Sequence, residues 1–314
     1  MVKINVAVFK AYSKLSNSGM ETIKKEVIDN YNWVVDDIEY TLKTCYLSKW
    51  GTINGLKPNK FDAVIMPGAN TYWTIRKGSP IFSNRWREAV RNFVRKGGGY
   101  IGICGGSTIA CQGRKISGSR GYSVAEFLKI SNTWADQVFY RQDQYDLRNP
   151  FTGGIPLNIK IKKSGNPIFD PFYFNHSTKE RSMRYWGGPA LSMAEEKDPL
   201  LGNVVILGEY ADEPMEKAPL HWFGTELKVK TDMKGKAAII STTYGKWRIV
   251  LFGVHPEAPT WYNGHIEENP FSYPEYEWIG NKTAENYNWW MLRRSVAWVS
   301  QKVIDGHLPS DFSE

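Results

Sequence analysis

The sequence has 314 residues, enough to bury about three quarters of its extended surface without disulfide or metal staples. Its three cysteines, Cys45, Cys104 and Cys111, are odd in number and irregularly spaced, which argues against a disulfide framework and fits a reducing compartment. The formal charge of +8 comes from scattered lysines and arginines. The densest stretches (Lys160, Lys162, Lys163 and Lys179, Arg181, Arg184) are short, so they read as a solvated surface and nucleic acid is not an expected partner.

Val2 to Phe9 alternates apolar residues, ends at Lys10, and reads as a first strand rather than a signal peptide. No run of about 18 apolar residues occurs, so no membrane span is expected and the default is a cytoplasmic protein. Met20 to Asn30 reads as a helix and Asp37 to Leu42 as a second strand. Phe61 to Met66 is an apolar run closed by the turn residues Pro67-Gly68. Arg85 to Lys96 carries Trp86, Ala89, Val90, Phe93 and Val94 at helical spacing, and Gly97-Gly98-Gly99 stops it. Tyr100 to Ile103 then reads as a buried strand. Strands separated by helices predict an α/β fold, an open, mostly parallel sheet with helices on both faces. From about 137 to 226 the pattern loosens into strand-like pieces, Leu157 to Ile161 and Val204 to Leu207, broken by glycine, proline and charge. Antiparallel strands and long loops are expected there. Ala237 to Thr242 and Arg248 to Val254 restore the α/β pattern, and a terminal helix is expected over Ala284 to Ile304. No repeat or linker interrupts the chain, so a single domain, 1–314, is expected.

The most informative stretch is Gly99-Tyr100-Ile101-Gly102-Ile103-Cys104-Gly105-Gly106-Ser107, a buried strand running into G-x-C-x-G. A nucleophile on a sharp strand-to-helix turn needs small residues two before and two after it, and Gly102 and Gly106 occupy those places. The positive end of the following helix, about Gly105 to Cys111, favours a thiolate at Cys104. The alternative is a glycine-rich turn around an inert buried cysteine. Nucleotide fingerprints are missing, since neither G-x-G-x-x-G nor G-K-[ST] follows.

After the last strong strand comes Gly253-Val254-His255-Pro256-Glu257. Residues two apart in an extended segment share a side, so Glu257 can orient the His255 imidazole, which in turn can take the Cys104 proton. A surface turn with a solvated glutamate is the alternative. Met66-Pro67-Gly68-Ala69-Asn70 follows another expected strand at the same sheet edge. The backbone N–H groups of Gly68 or Ala69, with that of Gly105, are candidates for an oxyanion hole.

These motifs resemble the class I glutamine amidotransferase-like superfamily, with its flavodoxin-like fold and its triad of an elbow cysteine and a distal His-x-Glu. More narrowly, the chain resembles the family named for the N-terminal domain of biotin–protein ligases. The resemblance rests on Pro67-Gly68, on Gly98-Gly99-Tyr100-Ile101-Gly102-Ile103-Cys104-Gly105-Gly106, on Tyr185-Trp186-Gly187-Gly188-Pro189 and on His255-Pro256-Glu257, in that order. It implies a catalytic triad of Cys104, His255 and Glu257, and it places Tyr185 and Trp186 in the substrate cleft. Glutamine-hydrolysing members usually carry glutamine four residues after the cysteine. Thr108 stands there in this chain, which speaks against free glutamine and leaves another amide or peptide-like small molecule as the expected substrate.

The expected activity is therefore that of a cysteine-nucleophile amidohydrolase or amidotransferase-like enzyme, with a synthetase or amine acceptor as a possible partner and no cofactor. A non-catalytic binding or regulatory module that keeps the triad is the rival reading. Cys111 is expected to pack rather than resolve a disulfide, and His265, Glu267 and Glu268 lack the second ligand cluster that a metal site needs. Trp261, Tyr262, Phe271, Tyr273, Tyr276 and Trp278 either wall the cleft or pack a long loop.

Overall fold

The alternating residues of Val2–Phe9 feed two separate cores. Ile4, Val6 and Val8 enter one buried cluster, and Ala7 and Phe9 enter the other. Successive strand residues point to opposite faces, so the sheet is covered on both sides. The helix Pro80–Arg95 brings Trp86, Val90, Phe93 and Val94 to one face, and the C-terminal helix Trp289–Ser300 brings Trp290, Met291, Val296 and Val299 to the other. The computed structural model describes residues 1–10, 20–68, 80–116, 127–137, 155–185, 187–194, 198–217, 220–222, 225–227, 232–258, 266–267, 275–276, 288–304 and 306–310.

The strands up to Phe252 are β1 Val2–Phe9, β2 Asn32–Val35, β3 Ile38–Leu47, β4 Ala63–Met66, β5 Gly99–Ile103, β6 Gly113–Ile116, β7 Thr133–Gln137, β8 Ile155–Ile161, β9 Glu180–Tyr185, β10 Ala190–Met193, β11 Val205–Tyr210, β12 Leu220–Trp222, β13 Thr225–Leu227, β14 Ala237–Tyr244 and β15 Trp247–Phe252. Two of them, β12 and β13, form a separate hairpin; the rest join one sheet in the order β2-β3-β1-β4-β5-β15-β14-β10-β7-β6, with β11, β8 and β9 branching from β14. From β3 to β15 every pairing is parallel. Beyond β15 the ladders are antiparallel except for β6 on β7. The expected large α/β sheet with helices is what forms, and the elaborated middle of the chain extends it.

Local differences from the sequence reading have physical causes. The stretch from Met20 is α-helical only to Thr22 and continues as a π-helix, Ile23–Ile28, whose wider turn brings Ile23, Val27 and Ile28 into the core together. Asp36 and Asp37 lie in a two-residue turn with φ of 47° and 62°, making a β2–β3 hairpin that the sequence reading passed over. Full-length pairing with β1 carries β3 on to Leu47. The helix expected from Arg85 starts at Pro80, a residue that suits a first helical position. The terminal helix ends where Gln301 turns left-handed at φ 54°. Among the described residues, no helix is long and apolar enough to cross a membrane.

Candidate active site

Parallel neighbours end at one edge, and three of the chain's motifs meet there. Cys104 follows β5, Pro67-Gly68 follows β4, and His255 stands three residues beyond β15. The Cys104 N–H still donates to the Phe252 carbonyl at 2.7 Å, holding the cysteine in register with β15. The backbone then turns to φ 51°, ψ −108° and enters the helix Gly105–Ala110. A positive φ on a residue with a Cβ costs roughly 1–3 kcal/mol, so the surroundings must impose it.

They do so through glycine contacts and buried hydrogen bonds. A Cβ on Gly102 would sit 2.7 Å from the Gly106 carbonyl oxygen, and one on Gly106 only 2.0 Å from the Met66 carbonyl oxygen. This close approach of β4, β5 and the helix is the physical content of the G-x-C-x-G spacing. The Tyr100 hydroxyl donates to the Gly106 carbonyl at 2.7 Å, and Ser107 Oγ lies within 2.8 Å of the carbonyls of Gly102 and Phe252. Ser107 and Thr108 return their N–H groups to the Cys104 carbonyl, both at 3.0 Å.

His255 is held through both its backbone and its ring. Its N–H donates to the Arg184 carbonyl at 2.8 Å in an isolated antiparallel bridge. Its Nδ1 meets Glu257 Oε1 at 2.8 Å. On the remaining side, the ring lies within electrostatic reach of the Cys104 thiol. Cys104, His255 and Glu257 are 4%, 2% and 0% exposed, so their interactions are shielded from water. Burial pulls the imidazole pKa down, but Glu257 and Cys104 outweigh it and push the value up to about 10. Both neighbours therefore favour the protonated ring. Glu257 Oε2 is buried and accepts no hydrogen bond among the described residues, which leaves His255 as the cation that balances this carboxylate. The indole N–H of Trp289 donates to the Glu257 backbone carbonyl at 2.9 Å, anchoring the acid to the start of the C-terminal helix.

The remaining expected site residues divide by position. Gly68 is buried at the elbow edge, and Gly105 opens the elbow helix, where an amide has no helical carbonyl behind it. Tyr185 is a buried core residue, its ring 5.9 Å from that of Tyr210. Ala69 and Trp186 lie outside the described residues, as do His265, Glu268 and most of the aromatic set from Trp261 to Trp278; Glu267 and Tyr276 fall in the short strands Ile266–Glu267 and Glu275–Tyr276. Cys111 is fully buried, hydrogen-bonded to the Ser107 carbonyl at 3.3 Å, and burial pushes its thiol up to about 12, so it packs as expected. Thr108 donates its hydroxyl to the Cys104 carbonyl at 3.3 Å. Sequence reasoning missed Gly188, Tyr210 and Trp289 as neighbours of the site. For Gly188 a signal existed, because a Gly-Gly pair beside a buried tyrosine marks close backbone approach.

Fold and site together define a mixed α/β protein with a large open sheet and a cysteine elbow at the carboxyl edge of its parallel strands. The chain belongs to the family described as "Biotin-protein ligase, N terminal", whose family model matches residues 59–278. No curated protein matches the sequence. Similar solved structures include a cytoplasmic protein of Salmonella typhimurium LT2, with a TM-score of 0.40 and 10% identity over 80% of this chain and 87% of the other. A second cytoplasmic protein of Salmonella typhimurium matches with a TM-score of 0.41 and 8% identity over 95% and 97% of the two chains. A β-galactosidase from Bacillus circulans sp. alkalophilus matches with a TM-score of 0.39 and 12% identity over 80% of this chain but only 28% of its own length.

Proposed function

We propose that this chain is a cysteine-nucleophile amidohydrolase or amidotransferase-like enzyme of the class I glutamine amidotransferase-like superfamily, with Cys104, His255 and Glu257 as its triad. One observation carries the reading: a buried imidazole, held by a 2.8 Å contact to Glu257, lies within electrostatic reach of a cysteine on a strained elbow. The strand order β3-β1-β4-β5-β15 supports a flavodoxin-like sheet, whose ligands bind outside the carboxyl ends of the strands. The reading treats residues 1–314 as one cytoplasmic domain.

In this mechanism the Cys104 sulfur attacks the carbonyl carbon of an amide, and the carbonyl π pair moves onto oxygen. The amides of Gly105 and of Gly68 or Ala69 receive the oxyanion, each such donor contributing on the order of 10²-fold or more. Collapse breaks the C–N bond, and the leaving amine takes its proton from His255 while Glu257 keeps the ring oriented. Water deprotonated by His255, or an amine held by an acceptor or synthetase partner, then releases the acyl group from sulfur. The substrate is an amide or peptide-like small molecule. Free glutamine is disfavoured, because Thr108 stands where glutamine-hydrolysing members usually carry glutamine.

The near-complete burial of Cys104 favours a second reading, a binding or regulatory module that keeps the triad without turnover. The pH dependence of Cys104 alkylation by iodoacetamide separates the two, with Cys104→Ser subtracting the contribution of Cys45 and Cys111. A working pair predicts wild-type alkylation at pH 6 on the order of 10-fold faster than in His255→Ala. Equal rates would remove the thiolate–imidazolium pair and leave the binding module.

A further inference from the structure

We propose that Tyr210 is a positioning residue whose hydroxyl clamps the crossing Gly187–Pro189 over the elbow and thereby sets the approach of His255 to Cys104. The inference rests on the triad reading above. The crossing joins β9 to β10 and touches both halves of the triad. Just before it, the Arg184 carbonyl receives the His255 N–H at 2.8 Å. At its centre a Cβ on Gly188 would lie 2.0 Å from the Gly253 carbonyl oxygen and 3.4 Å from Cys104 Cα. At its far end the Pro189 carbonyl receives the Tyr210 hydroxyl at 3.0 Å. The strand exit that leads to His255 is pinned by the same pair, since a Cβ on Gly253 would meet the Pro189 carbonyl oxygen at 2.1 Å and the Tyr210 hydroxyl oxygen at 2.4 Å.

Gly187 and Gly188 bring no side chains to anchor the crossing, and Pro189 has no N–H to donate. The Pro189 carbonyl is a polar handle by which this stretch is held. Tyr210 reaches it from the end of β11, fully buried, with its ring edge-on to Tyr185 at 88°. Burial first, and then the nearby Cys104, push the phenol well above its usual range, so the hydroxyl remains a donor at working pH. A clamp of this kind acts through Cys104 and His255 and does not touch the reacting atoms.

Tyr210→Phe keeps the ring and removes the hydroxyl. The expected result is an alkylation rate of Cys104 at pH 6 lowered about 5-fold towards that of His255→Ala. Tyr40→Phe is the control, because Tyr40 is equally buried but donates or accepts at His307 Nδ1, 3.0 Å away, at a site formed with the C-terminal segment. It should lose comparable thermal stability and keep the wild-type pH profile. A Tyr210→Phe profile identical to wild type, while His255→Ala still differs, overturns the clamp and leaves the triad intact. If wild type and His255→Ala coincide, the triad reading fails, and a crystal structure of Tyr210→Phe decides the clamp by itself. Displacement of Gly188 from Cys104 and Gly253 supports it, and an unmoved crossing refutes it.

Discussion

In the parallel half of the sheet, from β3 to β15, all strands end at the same edge; in the antiparallel half, successive ends alternate between edges. The parallel half therefore gathers residues far apart in sequence, Gly68, Cys104 and His255, without any long side chain having to reach. What the antiparallel half supplies is support: a backbone carbonyl from Arg184, a glycine crossing and a tyrosine hydroxyl from β11. The elbow and the His-x-Glu pair sit where strand direction converges, and the less regular part of the chain packs against them. Conformational strain is divided in the same way, with the left-handed Cys104 at the parallel edge held by contacts from both halves.

The sharpest way to break this contrast is at the glycines. Gly106→Ala drives a methyl into the Met66 carbonyl and should cost about 3 kcal/mol in chemical denaturation, or prevent folding. Gly235→Ala, before β14, meets no atom within 4 Å and carries only the left-handed penalty at φ +80°, about 1 kcal/mol. Similar losses at the two positions would mean that the elbow is less tightly packed than its distances say.

The pH dependence of stability sharpens the picture next. Because the His255 pKa is raised from 6.5 to about 10, its contribution to folding is complete below pH 6.5 and is lost as pH rises through about 10. The stability advantage of wild type over His255→Gln, followed by urea midpoints, should therefore shrink steadily across that window. An advantage that grows with pH would mean a ring that is neutral in the folded protein. The smallest effect belongs to Trp289→Phe, which keeps the aromatic packing and removes the bond to the Glu257 carbonyl. It should cost about 1 kcal/mol and slow Cys104 alkylation at pH 6 less than His255→Ala does.

The two halves were not equally legible. Strands β4 and β5 are buried on both faces and β1, β14 and β15 over most of their length, so they stand out in the sequence as segments rich in apolar residues. In the antiparallel half, β9 alternates Arg181, Met183 and Tyr185 with polar residues and is crossed by charge, so nothing in Glu180–Tyr185 announces a strand end beside His255. The β2–β3 hairpin was hidden for another reason, since its Asp36-Asp37 turn carries no glycine.

By itself the sequence determined the elbow, the His-x-Glu pair and the apolar runs that place both at strand ends, because each of these is a local pattern of residue size and polarity. Only the tertiary structure decided that Gly188 lies against Cys104, that Tyr210 holds Pro189 and that Trp289 anchors Glu257. Those contacts join segments 21 to 84 positions apart in the sequence. Their specificity lies in which backbones the sheet order brings together, and no local pattern encodes that order.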